Sequence, residues 1–323
     1  MTESLQKWID SWAEPDLLSA TRVHALPDFG GEEQTVFVKR EDESGFGISG
    51  SKKRKYASLL PYLERSGVQL VGIVGGDRSN HVIGLLQLLR ERQIPTQLFL
   101  KAGSETRLSG NRLLLDLLTE ESDITWVADT SGAALFQAVS QQLQKQSDQY
   151  FLVPEGGSCQ EALPGACSLI LDIQRNEEAL GATFDHICMD AGTGLSAAAL
   201  LLTNHYLQRP TQIHIVQMAG QAGEMEQMIR QAHQWAHELG LPIPMPPSPN
   251  IQLPSTAKSF GRVNASVKGM VRHLARQYGI LAEPLYVAKL FLSFQQLAYF
   301  QQLKGRILLI HSGGGTGMMG WEY

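Results

Sequence analysis

Residues 184–201, FDHICMDAGTGLSAAALL, decide how the chain folds. A short apolar run feeds a Gly-x-Gly turn at Gly192 and Gly194, and a helical pattern, LSAAALLLTNHYLQ, begins at once. Strand, glycine turn and helix in that order form part of a βαβ unit. The unpaired N–H groups and dipole of the helix point into the turn and make a cradle for a phosphate. The same spacing also serves a tight strand-to-helix turn with nothing bound. A mononucleotide loop needs Gly-Lys-Ser/Thr, which is absent. Gly192, Gly194 and Ala197 fit a dinucleotide turn, but that turn wants an acidic residue ~20 positions on for the ribose. No Asp or Glu occurs between Asp190 and Glu224, so a dinucleotide is disfavoured and a smaller phosphate-bearing cofactor remains.

The pattern repeats outward. TVFVKRE (35–41), VQLVGIVGG (68–76), TQLFLKAG (96–103), ITWVADT, YFLVPEGG, TQIHIVQMAG (211–220) and RILLIHSGGGTG (306–317) read as strands. Helical patterns such as SNHVIGLLQLLRERQ and GNRLLLDLLTEES lie between them. Apolar strands alternating with helices predict a parallel sheet covered on both faces, with ligands outside the carboxyl ends of the strands. Four such ends carry glycine or small polar residues: 75–80, 154–158, 190–196 and 311–317. The proline-dense stretch 241–254 predicts a surface connection between helices at 222–239 and about 263–278.

The gross numbers are those of a globular chain: 323 residues, 43% hydrophobic, net charge −5. They argue against a nucleic-acid or membrane partner. The first residues, MTESLQKWIDSWAE, lack the apolar core of a signal peptide. Cys159, Cys167 and Cys188 have no metal spacing and are expected as reduced thiols of a cytoplasmic protein. His233 and His237 have i, i+4 spacing but no third ligand, and are expected on a helix surface.

GISGSKKRKYASLL (47–60) puts Lys52, Lys53, Arg54 and Lys55 on the first turn of a helix, where the dipole is already positive. Crowded cations disfavour an ammonium, and a neutral amine is what Schiff-base chemistry requires. An anionic cofactor against the cluster would also make it tolerable; a solvated surface patch is the other reading. In GGDRSNH (75–81), Ser79 is a natural helix cap, and its hydroxyl and the Asn80 amide face the same crevice.

Together, VKREDESGFGISGSKKRK, GGDRSNHV, LSGNRLLLDLL, VPEGGS, DAGTGLS, EPLYVAK and IHSGGGTG resemble, in order, segments of one family. It is the fold type II pyridoxal-phosphate enzymes, in the branch holding D-cysteine desulfhydrase and 1-aminocyclopropane-1-carboxylate (ACC) deaminase. The resemblance covers nearly the whole chain. It implies two open twisted parallel-sheet α/β domains with pyridoxal 5'-phosphate in the cleft between them. Residues 1–54 and 159–323 would form the large domain and 55–158 the small one. By position, Lys52 is the lysine bound covalently to the cofactor. Asn80 contacts its ring hydroxyl, and Gly192, Thr193, Gly194, Leu195 and Ser196 hold the phosphate. Ser312 stands where the family has Thr and faces the pyridine nitrogen; Ser79 and Tyr286 stand where it has polar catalytic partners.

Departures fall on the substrate side. Ser51 replaces Asn, Asp77-Arg78 replaces Ile-Gln, Ile83 replaces Arg, Phe260 replaces an aromatic hydroxyl, and Val287 replaces Glu or Thr. His81 favours the desulfhydrase branch, and the missing Glu argues against the deaminase. The resemblance therefore implies a D-cysteine desulfhydrase-like lyase acting on a small amino acid, giving keto acid, ammonia and sulfide. A neutral hydroxyl at Ser312 would leave the ring nitrogen largely unprotonated. ACC-deaminase-type ring opening is the alternative, and a cofactor-binding protein with little catalysis is a third reading. A homodimer is what the family implies.

Overall fold

The computed structural model describes residues 1–47, 50–103, 108–128, 133–321 and 323. Helix α1 (Thr2–Trp12) and strands β1 (Val23–Ala25) and β2 (Gln34–Arg40) lead to α2 (Ser51–Arg65). There follow β3 (Leu70–Gly76), α3 (Asn80–Glu91), β4 (Thr96–Lys101), α4 (Asn111–Leu118), β5 (Ile124–Val127), α5 (Ala133–Gln144) and β6 (Tyr150–Val153). The second half holds α6 (Leu163–Leu180), β7 (His186–Ala191), α7 (Leu195–Tyr206), β8 (Gln212–Gln217), α8 (Glu224–Glu238) and β9 (Asn250–Gln252). It closes with α9 (Ala265–Tyr278), α10 (Val287–Gln296), α11 (Ala298–Gln301) and β10 (Gly305–His311).

These strands form two sheets. The four-stranded sheet has the order β5-β4-β3-β6 and is parallel throughout. The six-stranded sheet has the order β1-β2-β10-β7-β8-β9. Only β1, at its edge, runs antiparallel to its neighbour. Every residue of β7 is buried, as a central parallel strand covered on both faces requires. The proline-dense stretch contributes β9, three residues paired to β8 at the sheet edge, where missing N–H groups are tolerated.

One apolar core joins the two sheets. Ile73, Leu98 and Leu100 of the smaller sheet belong to it with Ile187 and Leu308 of the larger, through Leu59, Leu60 and Leu63 of α2 and Leu163 and Ile170 of α6. Helices α2 and α6 cross backbone to backbone at Gly165, where any side chain would run into the Arg54 carbonyl. A second core under α9 and α10 takes Val38, Cys188 and Leu309 from the other face of the large sheet and packs them with Phe291 of α10. The three cysteines are free and buried. Among the described residues no helix is long and apolar enough to cross a membrane.

Candidate active site

The site is built from the start of α2. Gly50 caps that helix at φ 84, ψ −173, and a side chain there would run into the Ser312 carbonyl oxygen. The same oxygen accepts the Ser51 N–H at 3.0 Å, so the end of β10 holds the first turn of α2. Adjacent helical residues diverge by about 100°, and the four cations accordingly take four bearings. Lys53 Nζ donates to the Ser44 carbonyl at 2.9 Å. Arg54 turns inward to Glu41 and Asp172, each at 2.6 Å, and Lys39 reaches Asp172 at 2.7 Å. This set of two cations and two carboxylates is buried. Lys55 is buried and donates to the Gly156 carbonyl at 2.9 Å; burial, with Lys52 nearby, lowers its pKa to about 7. Lys52 lies over the face of Tyr286, 5.6 Å from the ring centroid. The run is therefore not a surface patch. Nor does it wait on one anion for neutralisation: Arg54 is balanced by its own carboxylates.

The glycine turn after β7 lies alongside. Gly194 caps α7 in the left-handed region, φ 94, which spares a side chain strain and leaves the first-turn N–H groups facing outward. Thr193 Oγ1 receives the Ser158 hydroxyl at 2.7 Å. A Cβ on Gly192 would stand 3.1 Å from Tyr286 Cε1, so the turn, the 156–158 segment and Tyr286 share one crevice.

Asn80 enters from α3. Its amide oxygen accepts from Asn111 Nδ2 at 2.6 Å, and the Asn111 oxygen accepts from Thr316 at 2.6 Å. That fixes the Asn80 NH2 toward Gly314, whose Cβ would sit 2.7 Å from Nδ2. The Ser79 oxygen caps α3, accepting from His81 and Val82 N–H at 3.2 and 3.4 Å; its own hydrogen remains for another acceptor. His81 points to the Tyr56 hydroxyl at 3.0 Å, and burial lowers its pKa to about 3, so it is neutral at physiological pH.

Two buried carboxyls complete the crevice. Glu283 receives the N–H groups of Leu285, Tyr286 and Val287 at 2.8, 2.6 and 3.1 Å, and burial raises its pKa to about 7. Burial raises the pKa of Asp190, and the neighbouring Ser312 and Lys52 oppose the rise. Burial, then Glu283 and Asp190, raise the Tyr286 hydroxyl far above the usual phenol range, which keeps it a proton donor.

The departures also find places. Phe260 lies 5.9 Å from Tyr286, ring to ring, and is exposed. Val287 and Ile83 are buried in apolar core. The Asp77 carboxylate accepts the Gly103 N–H at 3.1 Å, and Arg78 reaches the Ser109 carbonyl at 3.3 Å. Away from the crevice, His233 and His237 both meet the Ile243 carbonyl at 2.8 Å. Among the described residues no group of three potential ligands could hold a metal. A surface hollow of about 580 Å³ near Glu177, Arg209 and Arg306 lies by the amino end of β10, away from the crevice, and carries the Arg209–Glu177 ion pair.

Three residues escaped the sequence reading, Asn111, Asp190 and Glu283, while Lys55 entered it only as one of four crowded cations. Each had a faint signal in a polar side chain set within or beside an apolar element. The crevice fits a phosphate-bearing aldehyde: an amine without a carboxylate in ion-pair range among the described residues, an N–H-lined turn, a fixed amide donor and a hydroxyl. Gly192 and Gly314 leave room where side chains would press on Tyr286 and Asn80.

The family described as "Pyridoxal-phosphate dependent enzyme" matches residues 16–313. A Pyrococcus horikoshii protein provisionally named a 1-aminocyclopropane-1-carboxylate deaminase is 26% identical over 307 residues, covering 92% of this chain and 90% of its own. The Yersinia pestis D-cysteine desulfhydrase is 26% identical over 338 residues, covering 99% of each. Among solved structures, an ACC deaminase homologue superposes with a TM-score of 0.85 at 24% identity, over 97% of this chain and 95% of that one.

Proposed function

Because the chain belongs to the pyridoxal-phosphate-dependent enzymes, we propose that it is a lyase of small amino acids that removes a β-leaving group in the manner of a D-cysteine desulfhydrase. With water consumed, D-cysteine would give a keto acid, ammonia and sulfide. The observation that carries this reading is the placement of Lys52 over Tyr286, beside a glycine turn open to a phosphate. Lys52 holds the cofactor covalently, residues 192–196 take its phosphate, Asn80 donates to its ring hydroxyl and Ser312 meets its ring nitrogen. When bound, the cofactor supplies an electron sink for a carbanion at the substrate α-carbon. Lys52 Nζ takes the α-proton, being tethered beside it. Tyr286 Oη gives a proton to the leaving group, and Ser79 holds the substrate carboxylate. The cofactor sits between a large domain of residues 1–54 and 159–323 and a small one of residues 55–158, a boundary that α2 straddles. We place the enzyme in the cytoplasm, which suits its buried reduced thiols, as a homodimer.

ACC-deaminase-type ring opening is the second reading. The crevice favours it more than Val287 alone would, because Glu283 and Asp190 bring buried carboxyls to Tyr286. Purified protein should carry a visible band that borohydride bleaches while fixing the pyridoxyl group on the peptide containing Lys52. It should release sulfide from D-cysteine and no 2-oxobutanoate from ACC. A pyridoxyl label fixed by borohydride on another lysine refutes the site; 2-oxobutanoate without sulfide reverses the choice of substrate.

A further inference from the structure

A side-chain amide shows donors at one end and an acceptor at the other, and its neighbours decide which way it faces. Asn111 opens α4 and is buried. Its Nδ2 lies 3.0 Å from the Arg78 carbonyl oxygen and 2.6 Å from Asn80 Oδ1, and its Oδ1 lies 2.6 Å from the Thr316 hydroxyl. The first of these contacts admits one arrangement. A backbone carbonyl only accepts, so the Asn111 NH2 must face Arg78. The second hydrogen of that NH2 then falls on Asn80, which must answer with its oxygen. The Asn80 NH2 is left on the side of Gly314, where a Cβ would stand 2.7 Å from Nδ2. Thr316 completes the set by donating to the Asn111 oxygen.

The ground under Asn111 is firm. A Cβ on Gly110, at φ 55, would come within 2.8 Å of the Met319 carbonyl oxygen and 3.0 Å of the Thr316 carbonyl oxygen. The segment after β10 is therefore seated on the start of α4. Ser79, the residue before Asn80, caps α3 and fixes the backbone from which the Asn80 amide projects.

Resting on the cofactor placement proposed above, we infer that Asn111 is a positioning residue that sets which end of the Asn80 amide the cofactor meets, and so holds the ring hydroxyl in its ionised form. An NH2 donor at the ring oxygen favours that oxygen without its hydrogen, and the proton shared with the Lys52 nitrogen stays on the nitrogen. An amide oxygen in the same place favours the opposite. The proton then moves from the Lys52 nitrogen to the ring oxygen, and no other bond changes. The first state absorbs in the visible and the second in the near-ultraviolet.

The test uses the full chain reconstituted with pyridoxal 5'-phosphate and reads the ratio of the near-ultraviolet to the visible band at one fixed pH. Wild type should favour the visible band. Asn111→Asp offers only acceptors, so the Asn80 NH2 turns to it and the amide oxygen turns to the cofactor; the ratio should rise roughly tenfold, as for one hydrogen bond lost and reversed. Asn111→Leu, neutral and of similar size, lets the Asn80 amide turn either way and should raise the ratio roughly threefold. In an Asn80→Ala background Asn111→Leu should leave the ratio unmoved, because its effect travels through that amide. A wild type dominated by the near-ultraviolet band overturns the inference, as does either single variant at the wild-type ratio. So does Asn111→Leu moving the Asn80→Ala background as far as it moves wild type. If Asn111→Asp fails to fold, Asn111→Leu decides by the same comparisons. Wild type that takes no covalent cofactor overturns the functional reading as well, and so separates the two failures.

Discussion

Replacing Asp172 by Asn should destabilise the cofactor-free protein by about 3–5 kcal/mol, the cost of stranding a buried charge. Asp172 Oδ2 accepts from Lys39 Nζ at 2.7 Å, Arg54 Nη2 at 2.6 Å and the Thr21 N–H at 3.1 Å. With Glu41 the set is neutral; without the Asp172 charge it carries one uncompensated positive charge in a site where Lys39 is 0% exposed and Arg54 4%. That loss is a large share of the ~5–15 kcal/mol of a typical domain. Urea titration followed by tryptophan fluorescence measures it, with the slope m held common. The double variant D172N/K39M restores neutrality and should recover at least half the loss, a coupling that independent sites would not show. The acid limb gives a second reading. Burial alone would raise Glu41 and Asp172, but Arg54 and Lys39 outweigh it and both pKa values end below the ordinary ones. Their contribution is therefore complete above the ordinary carboxylate range and lost as pH falls through the depressed folded values. Wild type should lose stability on acidification more steeply than D172N. A single variant within about 1 kcal/mol of wild type, or a double variant as unstable as the two singles added, refutes the reasoning.

Gly50→Ala should abolish covalent cofactor binding, because φ 84 and the Ser312 carbonyl both oppose a side chain; Gly67→Ala, at φ 64 with open space around it, should lose only ~1–2 kcal/mol and keep the visible band. Lys55 with a folded pKa of about 7 carries fewer protons than in the unfolded chain up to its ordinary value of 10.5, so cofactor-free stability should rise with pH across that window. Lys55→Met should flatten the rise in urea titrations, and a wild-type profile already flat rules the burial out. Tyr286→Phe should keep the cofactor band and lower sulfide release by roughly 10²–10⁴-fold, the worth of a positioned proton donor.

Much of this was legible in the letters because parallel strands buried on both faces read as apolar runs ending in glycine. HICMDAGTG, VGIVGG and ILLIHSGGG gave the strands and the crevice at their ends. The short edge strand β1, with neither periodicity nor a core face of its own, left no such mark. Lys52, Asn80 and Ser312 stood in recognisable local patterns. Asn111 did not, since what it does depends on Thr316, a partner far away in sequence. Glu283, quoted only within EPLYVAK, is a buried cap on α10 whose role depends on the N–H groups it meets in the fold.

The first turn of α2 has a further meaning for anyone who edits this chain. Exchanging Arg54 with Lys55 would preserve composition, net charge and helix propensity, yet aim a short ammonium at the paired carboxylates and a guanidinium at a backbone carbonyl. Deleting one residue just ahead of the helix would rotate all four by a quarter turn or so. The order of letters there works as a compass, and scoring schemes that treat neighbouring basic residues as interchangeable will misjudge it.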